Sequence, residues 1–234
     1  QADEIFVSDG SKCDTGNILD VFDLQNTVAV QDPVYPVYVD TNVMAGRTGA
    51  ADAQGRYAGL TYLPCTAEND FTPALPEQRV DMIYLCYPNN PTGILTEKPF
   101  LLSILERCKA KGIFFVADEC FNDFLEEPER YTLKDQIQNY PDFFILKAFT
   151  KIYAMAGLRL GFGLTANNDL LRKMKCCTQP WSVSIPAQKA GIAAVKEKEY
   201  VKTTLRLIKK ERVYLRGALK EAGFTVYDSA ANYL

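Results

Sequence analysis

Lys151 follows the apolar run FFILKAFT, residues 143 to 150. Lysine is seldom buried unless it is paired or put to use, and desolvation favours the neutral amine that attacks carbonyls. Lys151 is therefore a Schiff-base candidate, set against the plainer alternative of a side chain that snorkels from a strand end into water. Arg159, between Gly157 and Gly161, is a cation suited to an anionic ligand. Asp118 closes the apolar stretch GIFFVAD, where a carboxylate is costly unless it meets a cation. Near the start, the turn Asp9-Gly10-Ser11 leads into a helix, and the free backbone N–H groups of that helix start, with Gly10, Ser11 and Lys12, suit a phosphate. Tyr35, beside prolines, offers either a ring face for a flat ligand or ordinary packing. Asn90 stands in the tight turn Asn89-Asn90-Pro91-Thr92-Gly93, with Thr150 just before Lys151.

The elements that would carry these residues alternate. Strands are expected at 4–8, 27–32, 62–65, 82–88, 112–118, 143–150 and 158–166, the last running antiparallel to its neighbours, and a short strand and turn at 224–234. Helices are expected from Ser11, after Tyr35, and over 96–110, 168–176, 185–196 and 200–222, with Gly112 and Gly223 as stops. Residues 46–60 form a surface excursion rich in Gly and Ala. Strands alternating with helices predict an α/β domain with a mostly parallel sheet and helices on both faces, and ligands gather at the carboxyl ends of such strands. Gly10, Tyr35, Asn90, Asp118 and Lys151 each follow or close a predicted strand.

Composition narrows the chemistry. The 234 residues include no histidine, which removes Ser-His-Asp and Cys-His pairs and histidine metal sites, and leaves Lys, Asp, Glu, Tyr or Cys to move protons. No metal is expected. With 26 Lys+Arg spread among 29 Asp+Glu, nothing resembles a nucleic-acid footprint. No apolar run approaches the roughly 20 residues needed to cross a bilayer. The N-terminus lacks a signal-peptide pattern, and seven cysteines without a CxxC pair fit reduced thiols, so a cytoplasmic protein is expected.

One molecule combines a phosphate, an aromatic ring, a basic ring nitrogen, a ring oxygen and an aldehyde: pyridoxal 5'-phosphate. The order and spacing of Asn90-Pro91-Thr92-Gly93, Asp118 closing VAD, Thr150-Lys151 and Arg159 in GLRLG resemble the class I/II aminotransferases of fold type I. The resemblance implies a cofactor-bearing Lys151 that also acts as acid and base, and an Asp118 that holds the pyridinium. It further implies that Asn90 donates to the ring oxygen, that Tyr35 stacks on the ring, and that Gly10, Ser11, Lys12, Thr150 and Arg159 surround the phosphate. Partners implied are an L-amino acid and a 2-oxoacid, with a homodimer by analogy.

Residues 1–93 resemble LL-diaminopimelate aminotransferase, whereas residues 95–234 resemble the histidinol-phosphate aminotransferase and threonine-phosphate decarboxylase group. Phe121 stands where many members have tyrosine, and Ala148 where a phosphate-binding serine is common. An LL-diaminopimelate aminotransferase-like activity is the leading expectation, and histidinol-phosphate transamination or threonine-phosphate decarboxylation the alternative. A non-catalytic or inactive cofactor-binding fragment is the second alternative. The family's N-terminal arm and small domain have no counterpart in the sequence, so residues 1–223 are expected to be the large domain and 224–234 the start of a truncated small domain.

Overall fold

The computed structural model describes residues 2–234. Its centre is a seven-stranded sheet built from β1 (Ile5–Ser8), β2 (Val28–Asp32), β3 (Leu60–Pro64), β4 (Met82–Cys86), β5 (Phe114–Asp118), β6 (Phe143–Ala148) and β7 (Gly161–Leu164), in the order β1-β7-β6-β5-β4-β2-β3. β4, β5 and β6 are apolar almost throughout and buried on both faces, as parallel strands must be when helices cover each side. Alternate residues serve opposite layers. Ile83, Leu85, Phe115, Ala117, Phe143 and Ile145 pack with Leu101, Ile104 and Leu105 of α3 (Lys98–Lys111). Tyr84, Val116, Phe144 and Leu146 belong to the other layer, with Ile18, Leu19, Tyr38 of α2 (Pro36–Met44), and Leu170, Leu171 and Met174 of α5 (Asn168–Cys177). Each such side chain stabilises by about 1.5–3 kcal/mol on full burial.

Strand direction explains where the chemistry gathers. β2, β3, β4, β5 and β6 are mutually parallel, while β7 runs antiparallel to both β6 and β1. Six strands therefore end at one edge of the sheet, and β7, expected to be antiparallel, starts there. Arg159 precedes β7 and so reaches the edge that Ser8, Asp118 and Ala148 reach from the other direction; Ser8 and Ala148 both register with Gly161.

The remaining elements are α1 (Ser11–Asn17), a short α4 (Pro128–Tyr131), α6 (Ile185–Ala194) and α7 (Lys198–Glu221). No helix of the described residues is long and apolar enough to cross a membrane. The strand expected after Gly223 does not form. That segment lies on the Asn89–Gly93 turn instead, with the Ala230 N–H donating to the Gly93 carbonyl at 2.8 Å and the Tyr233 hydroxyl to the Asn89 carbonyl at 2.7 Å.

Candidate functional site

A cavity of about 150 Å³ opens at this sheet edge. Gly10, Ser11 and Lys12 form one wall, and Thr150, Lys151 and Arg159 another. Asp118 and Cys86 are at its floor ends of β5 and β4, and Tyr35, Cys120 and Phe121 complete it. Eight of the nine residues singled out in the sequence thus line one cavity. Asn90 does not line it. In the turn it belongs to, Asn89 is the buried organiser, its side-chain oxygen accepting from the Thr92 N–H at 3.2 Å and the Thr92 hydroxyl at 2.9 Å. A larger open groove of about 580 Å³ lies beside α7, but its lining charges, Glu199 with Arg206 and Glu126 with Lys209, largely pair with one another.

The glycines permit the wall. Gly10 has φ +132°, and a β-carbon on it would lie 2.9 Å from an Arg159 terminal nitrogen; the guanidinium therefore packs directly on the turn. On the opposite side, a β-carbon on Gly161 would lie 2.5 Å from the Ser11 amide nitrogen. Arg159 itself has φ +56° and donates to the Ala156 carbonyl at 2.9 Å.

Lys151 departs from the expectation of a fully desolvated lysine. β6 ends at Ala148, and Lys151 sits half-buried in the turn beyond it, its Nζ 4.9 Å from the centre of the Phe121 ring. Among the described residues its ammonium has no hydrogen bond or ion pair. The deeply placed lysine is Lys147, within β6, whose ammonium meets Asp123 at 2.8 Å and Glu119 at 4.0 Å.

Asp118 is 6% exposed, and no cation of the described residues forms an ion pair with it. Instead, its Oδ2 accepts from the Tyr38 hydroxyl at 2.6 Å and its Oδ1 from the Cys120 N–H at 2.9 Å. Burial first, and the Asp118 carboxylate second, push the Tyr38 phenol and the Cys86 and Cys120 thiols well above their ordinary ranges. Tyr38 was not legible as a site residue, although helical spacing from Tyr35 was a usable signal: the two rings meet edge to face at 5.5 Å. Cys120 was likewise missed; its thiol bonds the Ser11 hydroxyl at 3.1 Å and ties the β5 loop to the first turn of α1.

The open sheet with a lysine, an aspartate and an arginine meeting at its strand ends is the large-domain fold of the pyridoxal phosphate enzymes of fold type I. The sequence model of aminotransferase class I and II matches residues 15–234, and the chain belongs to that family, which is pyridoxal phosphate dependent. Among solved structures, the chain is similar to L,L-diaminopimelate aminotransferase from Chlamydomonas reinhardtii, with 32% identity, a TM-score of 0.82, and coverage of 100% of this chain and 60% of that one. It is also similar to histidinol-phosphate aminotransferase from Clostridium acetobutylicum, with 25% identity, a TM-score of 0.80, and coverage of 97% and 65%. L-threonine-O-3-phosphate decarboxylase from Porphyromonas gingivalis shares the fold at 19% identity, with a TM-score of 0.80 and coverage of 99% and 65%. The chain spans less than two thirds of the length of each.

The residues present fit the cofactor. A buried carboxylate without a protein cation suits a protonated ring nitrogen, an ammonium without an acceptor suits an aldehyde, and a turn that excludes a β-carbon beneath an arginine suits a phosphate.

Proposed function

We propose that this chain is the cofactor-binding part of an aminotransferase that moves an amino group from an L-amino acid to a 2-oxoacid, with LL-diaminopimelate as the preferred donor. The observation that carries the proposal is the convergence of Asp118, Lys151 and Arg159, from three different strand ends, on one cavity. The donor preference rests on the 32% identity to the diaminopimelate enzyme over the whole chain.

Pyridoxal phosphate, when bound, supplies an aldehyde that condenses with amines and a ring that takes up electrons. Lys151 Nζ would hold the cofactor and, once displaced by substrate amine, carry the proton between the reacting carbons. Asp118 would keep the ring nitrogen protonated. Arg159, Thr150, Lys12, Ser11 and the Gly10 backbone would bind the phosphate, and Tyr35 would lie against the ring. The ring-oxygen role of Asn90 rests on the motif alone. The boundary at Gly223 between a large and a small domain, the homodimer and a cytoplasmic location belong to the same proposal.

A second reading, an enzyme acting on histidinol phosphate or threonine phosphate, is favoured by Phe121, which offers Lys151 a ring face and carries no hydroxyl. Loading the chain with pyridoxal phosphate and adding each amine separately tests both. Loss of the cofactor's bound absorbance with LL-diaminopimelate alone supports the first reading, and loss with the phosphate amines alone supports the second. No response to any amine from a loaded chain contradicts both.

A further inference from the structure

We propose that Tyr38 is a positioning residue for Asp118, its hydroxyl holding the carboxylate in place, so that the group facing the ring nitrogen is set by α2 as well as by β5. This rests on the proposed cofactor site and extends it to a residue outside the cavity lining.

The contact is short and dry. The hydroxyl donates to Oδ2 at 2.6 Å, in the range of charge-assisted O–H···O⁻ bonds, and Tyr38 is 1% exposed. Its ring is immobilised by packing: it stacks on Tyr84 at 5.0 Å and 15° and takes the edge of Tyr35. Its carbonyl accepts from the Asn42 side chain at 2.7 Å. The hydroxyl is thus fixed by the core of the domain, while the carboxylate it meets stands at a strand end.

Charge makes the contact consequential. A buried carboxylate needs cations or donors to satisfy its oxygens, and the sequence holds no histidine to serve as either. Titratable neighbours that sense Asp118 are Cys86 from β4, Cys120 from the following loop, Tyr35 at the start of α2 and Tyr233 from the last segment, all neutral donors with burial as the first cause of a raised pKa. The neighbouring Tyr87 is also neutral and bonded to Glu119 at 2.9 Å. Lys151 and Arg159 line the same cavity without pairing to the carboxylate. The donors that reach its oxygens are the Tyr38 hydroxyl and the Cys120 N–H.

The test is a double-mutant cycle on the full chain, reading the affinity for pyridoxal phosphate by titration, with Tyr38→Phe, Asp118→Asn and both together. Tyr38→Phe keeps the ring stack and removes only the hydroxyl. Losing a bond to a charged acceptor should weaken cofactor binding about 10-fold. In the Asp118→Asn background the same change should alter affinity by less than about 2-fold, because the group it acts through is gone. With the cofactor's ring nitrogen labelled with ¹⁵N, Tyr38→Phe should move its resonance toward the unprotonated position, which a packing role would not do. Equal weakening in both backgrounds, or an unchanged affinity and resonance in Tyr38→Phe while Asp118→Asn weakens binding, overturns the role of Tyr38 and leaves the site intact. No effect of Asp118→Asn overturns the site and this role with it. Should Tyr38→Phe fail to fold, 3-fluorotyrosine at position 38, a stronger donor of nearly the same shape, should tighten binding, and unchanged binding overturns the proposal.

Discussion

The guanidinium of Arg159 packs on the backbone of Gly10, 2.9 Å from where a β-carbon would stand. The opposite side of the same turn rests on Gly161, whose own β-carbon would meet the Ser11 amide nitrogen at 2.5 Å and the Gly10 backbone at 2.8 Å. Only Leu160 separates Arg159 from Gly161, so one short stretch clamps the turn from both sides.

Gly161→Ala should therefore destabilise more than Gly10→Ala. The first meets backbone that cannot yield and should cost about 3 kcal/mol. The second meets the end of a long side chain but adopts a backbone region nearly exclusive to glycine, costing about 1–2 kcal/mol. Urea unfolding midpoints measure both, and changes within about 0.5 kcal/mol of wild type would mean the turn is not clamped.

Lys147 should matter for stability. Burial alone would pull its pKa down, but Asp123 and Glu119 more than offset this and hold it above the ordinary 10.5. Its contribution is full below that value and is lost as the pH rises through the alkaline range. Glu119 is 1% exposed and also accepts from the Thr132 hydroxyl at 2.6 Å and the Leu133 N–H at 2.8 Å. Lys147→Met leaves the carboxylates uncompensated and should cost about 3 kcal/mol at neutral pH. Thermal and urea unfolding at pH 7 check this, and a stable variant would show that hydrogen bonds alone neutralise the cluster.

Asp14 gives a prediction on the acid side, where the substitution stabilises instead. Burial raises its carboxyl from 3.8 to about 7; the Ser8 hydroxyl at 2.6 Å works against this and the Asp9 charge with it. The folded chain then binds more protons than the unfolded one between those values, so this group's contribution to stability falls as pH rises from about 4 to about 7. Asp14→Asn should remove that slope and stabilise the chain by about 2–4 kcal/mol at pH 8 relative to wild type. Urea midpoints at pH 5 and pH 8 decide it, and parallel pH profiles for the two proteins would contradict it.

The sheet was legible in the sequence because its central strands are unbroken apolar runs, and β7 takes the antiparallel direction expected of it. The segment after Gly223 was not legible, since its strand-like residues bond to the Gly93 and Asn89 carbonyls instead of pairing with an edge strand. Cavity residues at strand ends could be placed because connectivity brings those ends together. Tyr38 could not, because its partner lies 80 positions away and its place in the helix shows only that it is buried. Lys147 was hidden inside the run that drew attention to Lys151, and its pairing depends on Asp123, which belongs to a different loop.

The central claim is that Lys151 is the residue that carries the cofactor. Loading the chain with pyridoxal phosphate, reducing with borohydride, digesting and sequencing by mass spectrometry tests it most directly. A pyridoxyl-phosphate mass on the peptide containing Lys151, and none after Lys151→Ala, is the predicted result. The label on Lys147, on Lys12 or on no lysine would contradict the account.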